Sequence, residues 1–217
     1  MLPRRLWIAL LPAALAGAEE KVSFATGDGA RVCAEVFGRG KRAVVLAHGG
    51  RFQKESWRPQ ASILAAKGFR VLAIDFRGYG CSRGPGEAHH EDVLGAVRYL
   101  KAHGAESVSV VGGSFGAGAA GDASIRSRPG VIDRVVFLGY APNLPADQLH
   151  SRSLFIVARE DSNGAGPRLP EIRAQYDRAP EPKELIVLEG SAHAQFLFQT
   201  EHRDRVMREI SRFLQRP

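Results

Sequence analysis

The residue best placed to act as a nucleophile is a serine set among glycines, Gly112-Gly113-Ser114-Phe115-Gly116. It follows the β-branched run Ser107–Val111 and opens a Gly/Ala-rich helical stretch that reaches about Arg126. A serine on a tight strand-to-helix turn needs small neighbours, because side chains there collide with adjoining strands. The turn lifts the hydroxyl above the sheet edge, and the helix N-terminus behind it favours developing negative charge. A hydroxyl is a weak nucleophile until a base takes its proton, and that base needs an orienting carboxylate. Downstream, Arg159-Glu160-Asp161 offers the acid and Gly190-Ser191-Ala192-His193 the base. Each follows a predicted strand, and parallel sheets gather functional groups at the carboxyl ends of their strands. Asp161 is preferred to Glu160, since a loop residue one step further on can turn towards His193.

A second constellation is His48-Gly49-Gly50, after the apolar run Ala43–Ala47. A backbone N–H from this loop, together with that of Phe115, suits an oxyanion hole, in which one donor is worth about 3–4 kcal/mol to a transition state. Gly50 is the preferred donor because it has no Cβ to block a substrate oxygen; Arg51 is the alternative. His48 reads as a structural hydrogen-bonding residue. Asp75-Phe76-Arg77-Gly78-Tyr79-Gly80-Cys81-Ser82 reads as a tight turn with no direct chemistry. Gly116-Ala117-Gly118-Ala119-Ala120-Gly121 also fits a dinucleotide fingerprint, but it lies within a helix, and Asp133 begins the next strand instead of ending it. Close packing explains those glycines better. His89, His90, His103, His150 and His202 fall at helix starts, in helices or in loops, and read as surface or capping residues.

The elements that must hold these residues alternate. Lys21–Ala25 and Arg31–Phe37 form a hairpin signal, and strands are then expected at Ala43–Ala47, Arg70–Ile74, Ser107–Val111, Arg134–Leu138, Leu154–Ala158 and Glu184–Leu188. Helices are expected over Trp57–Lys67, Glu87–His103, Phe115–Arg126, Leu169–Arg178 and from about Thr200 to Leu214. Strands alternating with helices of this length predict one α/β domain: a mostly parallel sheet of about eight strands with helices on both faces.

Composition agrees with a single globular domain, since 217 residues with 44% hydrophobic and 24% charged are too apolar for a disordered chain. The N-terminus pairs Arg4-Arg5 with an apolar stretch from Leu6 to Leu15 and an Ala16-Gly17-Ala18 site, the pattern of a secretory signal peptide over residues 1–18. The domain then spans 19–217 in an exported, periplasmic or secreted protein. Cleavage removes two arginines and no acid, lowering the net charge from +7 to +5. The remaining basic residues are scattered, with no aromatic-interleaved block for nucleic acid and no apolar run long enough for membrane insertion. Two cysteines are too few for a disulfide framework or a four-thiolate metal site. Export would permit a Cys33–Cys81 bridge, but free thiols are the favoured expectation, because the sequence does not bring their Cα atoms together.

Taken together, His48-Gly49-Gly50, Asp75-x-Arg77-Gly78-x-Gly80-x-Ser82, Gly112-x-Ser114-x-Gly116, Asp161 and His193 resemble the α/β-hydrolase superfamily over about Val22 to Leu214. The stretch from Gly50-Arg51-Phe52 to Glu55-Ser56-Trp57 is similar to small, lid-free members of the Ccg1-interacting factor B type. This resemblance implies a Ser114–His193–Asp161 triad with no metal and no organic cofactor. It also implies a serine hydrolase cleaving small carboxylic esters through an acyl-enzyme. The same triad working as a thioesterase, amidase or acyltransferase is the alternative, and a non-catalytic ligand-binding member of the fold is a further one. The short segment between the strands at Arg134–Leu138 and Leu154–Ala158 leaves no room for a lid. An open site is therefore expected, walled by Phe52, Trp57, Tyr140 and Phe196–Phe198, with Arg51 and Lys54 at its mouth favouring acidic substrates.

Overall fold

The structure is a computed structural model that describes residues 20–216; residues 1–18, where a signal peptide is expected from the sequence, lie outside the described residues. Eight strands form one sheet: β1 (Glu20–Ala25), β2 (Arg31–Phe37), β3 (Arg42–Ala47), β4 (Arg70–Ile74), β5 (Ser107–Gly113), β6 (Arg134–Leu138), β7 (Arg152–Ala158) and β10 (Lys183–Leu188), in the order β1-β2-β4-β3-β5-β6-β7-β10. β1 pairs antiparallel with β2 and β2 antiparallel with β4, while the rest of the sheet is parallel. Helices α1 (Arg58–Ala66), α2 (His89–Ala102), α3 (Phe115–Arg126), α4 (Leu169–Arg178) and α5 (Arg203–Gln215) complete the layers.

Alternation along the central strands builds two cores. On β3, Ala43, Val45 and Ala47 join one apolar cluster, and Val44 and Leu46 join the other. The first is closed by α2, α3 and α4 through residues such as Val93, Leu100, Ala120 and Ile172. The second is closed by α1 and α5 through Leu64, Val206, Ile210 and Phe213. Helical spacing on α5 puts Val206, Met207, Ile210, Phe213 and Leu214 on one stripe. The order in which successive parallel strands are added reverses between β3 and β5, and the crevice above their carboxyl ends is where an open α/β sheet places ligands.

Two features differ from expectation. Cys33 and Cys81 are joined in a disulfide, with Cα atoms 5.8 Å apart. The pairing of β2 with β4 brings them together: Asp75 N–H donates to the Cys33 carbonyl, and the Ser82 hydroxyl accepts from Cys33 N–H. That contact comes from sheet order, which local sequence does not specify. The loop after β7 also carries a small hairpin that the periodicity does not reveal, β8 (Ser162–Asn163) and β9 (Gly166–Pro167). Between β6 and β7 only a loop with one 3-10 turn, Ala146–Gln148, intervenes, and no lid domain is present among the described residues.

Candidate active site

Ser114 caps the junction of β5 and α3 with φ 50° and ψ −117°, a conformation that non-glycine residues rarely hold. Such strain costs on the order of 1–3 kcal/mol and persists only where the surroundings over-determine it. Here they do. A Cβ on Gly112 would lie 2.4 Å from the Gly116 carbonyl oxygen, and one on Gly116 would lie 2.4 Å from that of Ala47. Ser114 N–H also donates to the Leu138 carbonyl at 2.9 Å, which locks the turn to β6.

The structure brings Ser114, His193 and Asp161 into one hydrogen-bonded line. Ser114 Oγ stands 2.6 Å from His193 Nε2, and His193 Nδ1 stands 2.8 Å from Asp161 Oδ2. Asp161 is fully buried, whereas Glu160 is exposed and meets no part of His193. The imidazole is partly open to solvent. His193 is held by a loop that packs closely: a Cβ on Gly139, at φ 63°, would lie 3.0 Å from His193 Nδ1.

Beside this line lies the loop after β3. Gly49 N–H is occupied by Gln195 Oε1, whereas the N–H groups of Gly50 and Arg51 find no acceptor among the described residues. The Phe115 N–H is one of the free donors that open a helix. Gly50 is held from below by the Tyr79 hydroxyl, which donates to its carbonyl at 3.1 Å. His48 is fully buried; its Nδ1 contacts the Gly49 carbonyl, and its Nε2 accepts from Phe76 N–H. Burial pushes its imidazole below the usual histidine range, which agrees with a neutral ring donating at Nδ1. The turn at 75–82 therefore supports the site from one layer away. Asp75 accepts from Lys54 through both backbone N–H and Nζ, and Ser82 Oγ donates to the Asp75 carbonyl.

Several side chains stand elsewhere than expected. Lys54 is buried against Asp75 and Glu55, not at the mouth. Trp57 is buried in the core, edge-on to Phe198, and neither ring lines the space around Ser114. Both are drawn away because the segment from Lys54 to Trp57 forms a 3-10 turn that feeds α1 onto the sheet. Phe52 and Phe196 pack against each other beside Ser114, and Tyr140 lines the opposite side. His89 and His90, read as surface residues, line that side too.

Two contributors had no signal in the sequence. Gln195 is buried and bridges Gly49 N–H to the Ser56 hydroxyl. Arg168, delivered by the return of the β8–β9 hairpin, places Nε 3.5 Å from Asp161 Oδ1, the carboxylate oxygen that His193 does not use. Its guanidinium also lies over the Tyr140 ring, 5.7 Å from the centroid. Neither residue belongs to a motif; each acts through a loop that only the fold brings near. No cluster of three or more metal-ligating side chains occurs among the described residues.

Comparison with known proteins agrees with this architecture. The chain is 32% identical over 119 residues to a non-heme haloperoxidase of Rhodococcus erythropolis, an alignment covering 54% of this chain and 43% of that protein. It thus spans less than half the length of that relative. In fold it is similar to an esterase of Pyrococcus furiosus, with a TM-score of 0.76 at 19% identity covering 98% of this chain and 95% of that one. It is likewise similar to a predicted CIB-like hydrolase of Thermoplasma acidophilum, with a TM-score of 0.73 at 20% identity covering 91% and 98%. A family model described as the alpha/beta hydrolase fold matches residues 42–216, and the chain belongs to that family.

Proposed function

We propose that this protein is a serine hydrolase that cleaves small carboxylic esters. The observation that carries the reading is the continuous hydrogen-bonded line from Ser114 Oγ through His193 to the buried Asp161 carboxylate. His193 Nε2 takes the hydroxyl proton as Ser114 Oγ attacks the ester carbonyl. Asp161 holds the imidazole in the tautomer that presents Nε2 as acceptor and stabilises the imidazolium that forms. The oxyanion accepts from Gly50 and Phe115 N–H, donors already in place before charge develops. His193 then gives its proton to the departing alcohol, leaving an acyl group on Ser114. Water attacks that acyl-enzyme with His193 again as base, and the acid leaves.

Esters are favoured because the site is open. An open site excludes little water, which suits an activated ester with a good leaving group better than an amide. The fold neighbour from Pyrococcus furiosus is itself described as an esterase. Kinship with the Ccg1-interacting factor B type belongs to the same proposal, as does export: the disulfide suits an oxidising compartment, which the segment at 1–18 would direct the chain to. The test is hydrolysis of p-nitrophenyl acetate together with labelling by a fluorophosphonate. Ser114→Ala is expected to lose more than about a thousandfold in kcat and all labelling. A variant that keeps its rate removes the assignment.

A further inference from the structure

Ser114 sits on a ridge between two cavities of opposite character. One, of about 400 Å³, opens on the α3 side and is lined by polar side chains including Glu87, Asp122, Asn143, Arg168 and Glu171. The other, of about 200 Å³, is walled by Phe52, Phe196, Ala194 and the loop at Gly49–Arg51. Ser114 and Phe115 border both, but His193 borders only the smaller, apolar one.

That asymmetry orients the ester. The imidazole that gives its proton to the leaving oxygen must lie within hydrogen-bond reach of it, so the alcohol half belongs on the His193 side. The acyl half, on the far side of the tetrahedral carbon, is then directed into the larger cavity. We infer that the enzyme takes esters of small apolar alcohols whose acyl group is polar and not anionic, with the acyl group in the cavity between α3 and α4. This rests on the serine-hydrolase reading and narrows it.

The charge of the larger cavity sets the second half of the inference. Glu87, Asp122 and Glu171 share the cavity wall with one guanidinium, that of Arg168, whose Nε stands 3.5 Å from Asp161 Oδ1, and with the imidazoles of His89, which burial pushes below the usual histidine range, and His90. Asp122 accepts from Asn143 N–H, Asn143 Nδ2 and Leu144 N–H, which fixes its charge at the wall. Three carboxylates thus stand against one guanidinium, and a carboxylate-bearing acyl group is repelled. This reverses the preference that Arg51 and Lys54 suggested from sequence. Lys54 is buried in its own ion pairs, and Arg51 stands at the alcohol side.

Two measurements on the purified protein test the inference, with each rate divided by that for hydroxide hydrolysis of the same ester. Ethyl 3-hydroxybutanoate and 2-hydroxyethyl butanoate are isomers that carry the hydroxyl on opposite sides of the ester. The first is expected to have at least a tenfold higher kcat/KM; equal or reversed values overturn the orientation. Among ethyl esters, that of β-alanine should exceed monoethyl succinate at least tenfold at pH 7. Glu171→Lys, at an exposed position in the first turn of α4, should cut this ratio at least fivefold. A ratio unmoved by that charge reversal, or one favouring succinate in the unaltered protein, overturns the charge argument. Turnover of p-nitrophenyl acetate without these preferences sinks this inference alone. Absence of any Ser114-dependent turnover takes the serine-hydrolase reading down with it.

Discussion

The carboxamide of Gln195 accepts the Gly49 N–H at 2.7 Å and so ties the loop that carries His193 to the loop after β3 that carries Gly50. The same side chain donates to Ser56 Oγ at 2.9 Å and covers Gly113, where an added Cβ would lie 3.0 Å from its Cγ. One buried amide thus holds three segments around Ser114 in a common frame.

Replacing Gln195 by Leu keeps the volume but strands a buried N–H, which costs about 1–3 kcal/mol. The larger effect falls on geometry, because donor placement to within about an ångström governs rates by up to about a hundredfold. Gln195→Leu is therefore expected to lower kcat about tenfold to a hundredfold with a smaller change in KM. Steady-state kinetics and denaturant unfolding on the same sample separate the two effects. A variant that loses stability and keeps kcat would show that Gln195 only fills space.

The Cys33–Cys81 bridge closes a loop over a sequence separation of 48 residues, and for a loop of this size the chain-entropy account gives about 4 kcal/mol of stabilisation. It anchors the turn whose Tyr79 hydroxyl holds the Gly50 carbonyl. The Cys33→Ser/Cys81→Ser double variant should unfold at lower urea concentration by roughly that free energy. A reducing agent should destabilise the unaltered protein and leave the variant where it is. Equal urea midpoints for the two proteins would dismiss the bridge as a stabilising element.

Acid should weaken the fold through buried imidazoles. Burial holds both His48 and His89 below the ordinary histidine value, so the unfolded chain binds more protons than the folded one once the pH drops beneath about 6.5. Their stabilising contribution is complete above that pH and declines as the pH falls towards the depressed folded values. The slope is at most about 1.4 kcal/mol per pH unit for each titrating ring. Unfolding free energies measured from pH 8 to pH 5 should show this decline, and His48→Gln should make it shallower. An unchanged slope would mean that the ring at 48 titrates alike in the folded and unfolded chain, against the downward shift that burial gives it.

Much of the architecture is legible in the sequence, because it depends on local sterics and periodicity. The short apolar run Ala43–Ala47 carried the mark of a strand buried on both faces, and residues 115–126 form the helix their small residues and position indicated. Gly112 and Gly116 announced a turn too tight for side chains, and the positions of Ser114, Asp161 and His193 just after β5, β7 and β10 put all three at the carboxyl edge of one parallel sheet. Boundaries moved by a residue or a few: α2 begins at His89 instead of Glu87, and α5 at Arg203 instead of about Thr200.

Sequence by itself determined which residues are candidates for chemistry, where the strands and helices run, and that Ser114 must stand on a strained turn. These are properties of neighbours in the chain, set by the clash of a Cβ or the period of an apolar stripe. Tertiary structure decided the rest. Strand order brought Cys33 to Cys81, the hairpin at 162–167 carried Arg168 to Asp161, and a 3-10 turn took Trp57 and Lys54 out of the pocket. The polarity of the two cavities flanking Ser114 was settled in the same way. Each depends on which segments lie side by side, and packing of the whole sheet chooses that at distances along the chain no local pattern reaches.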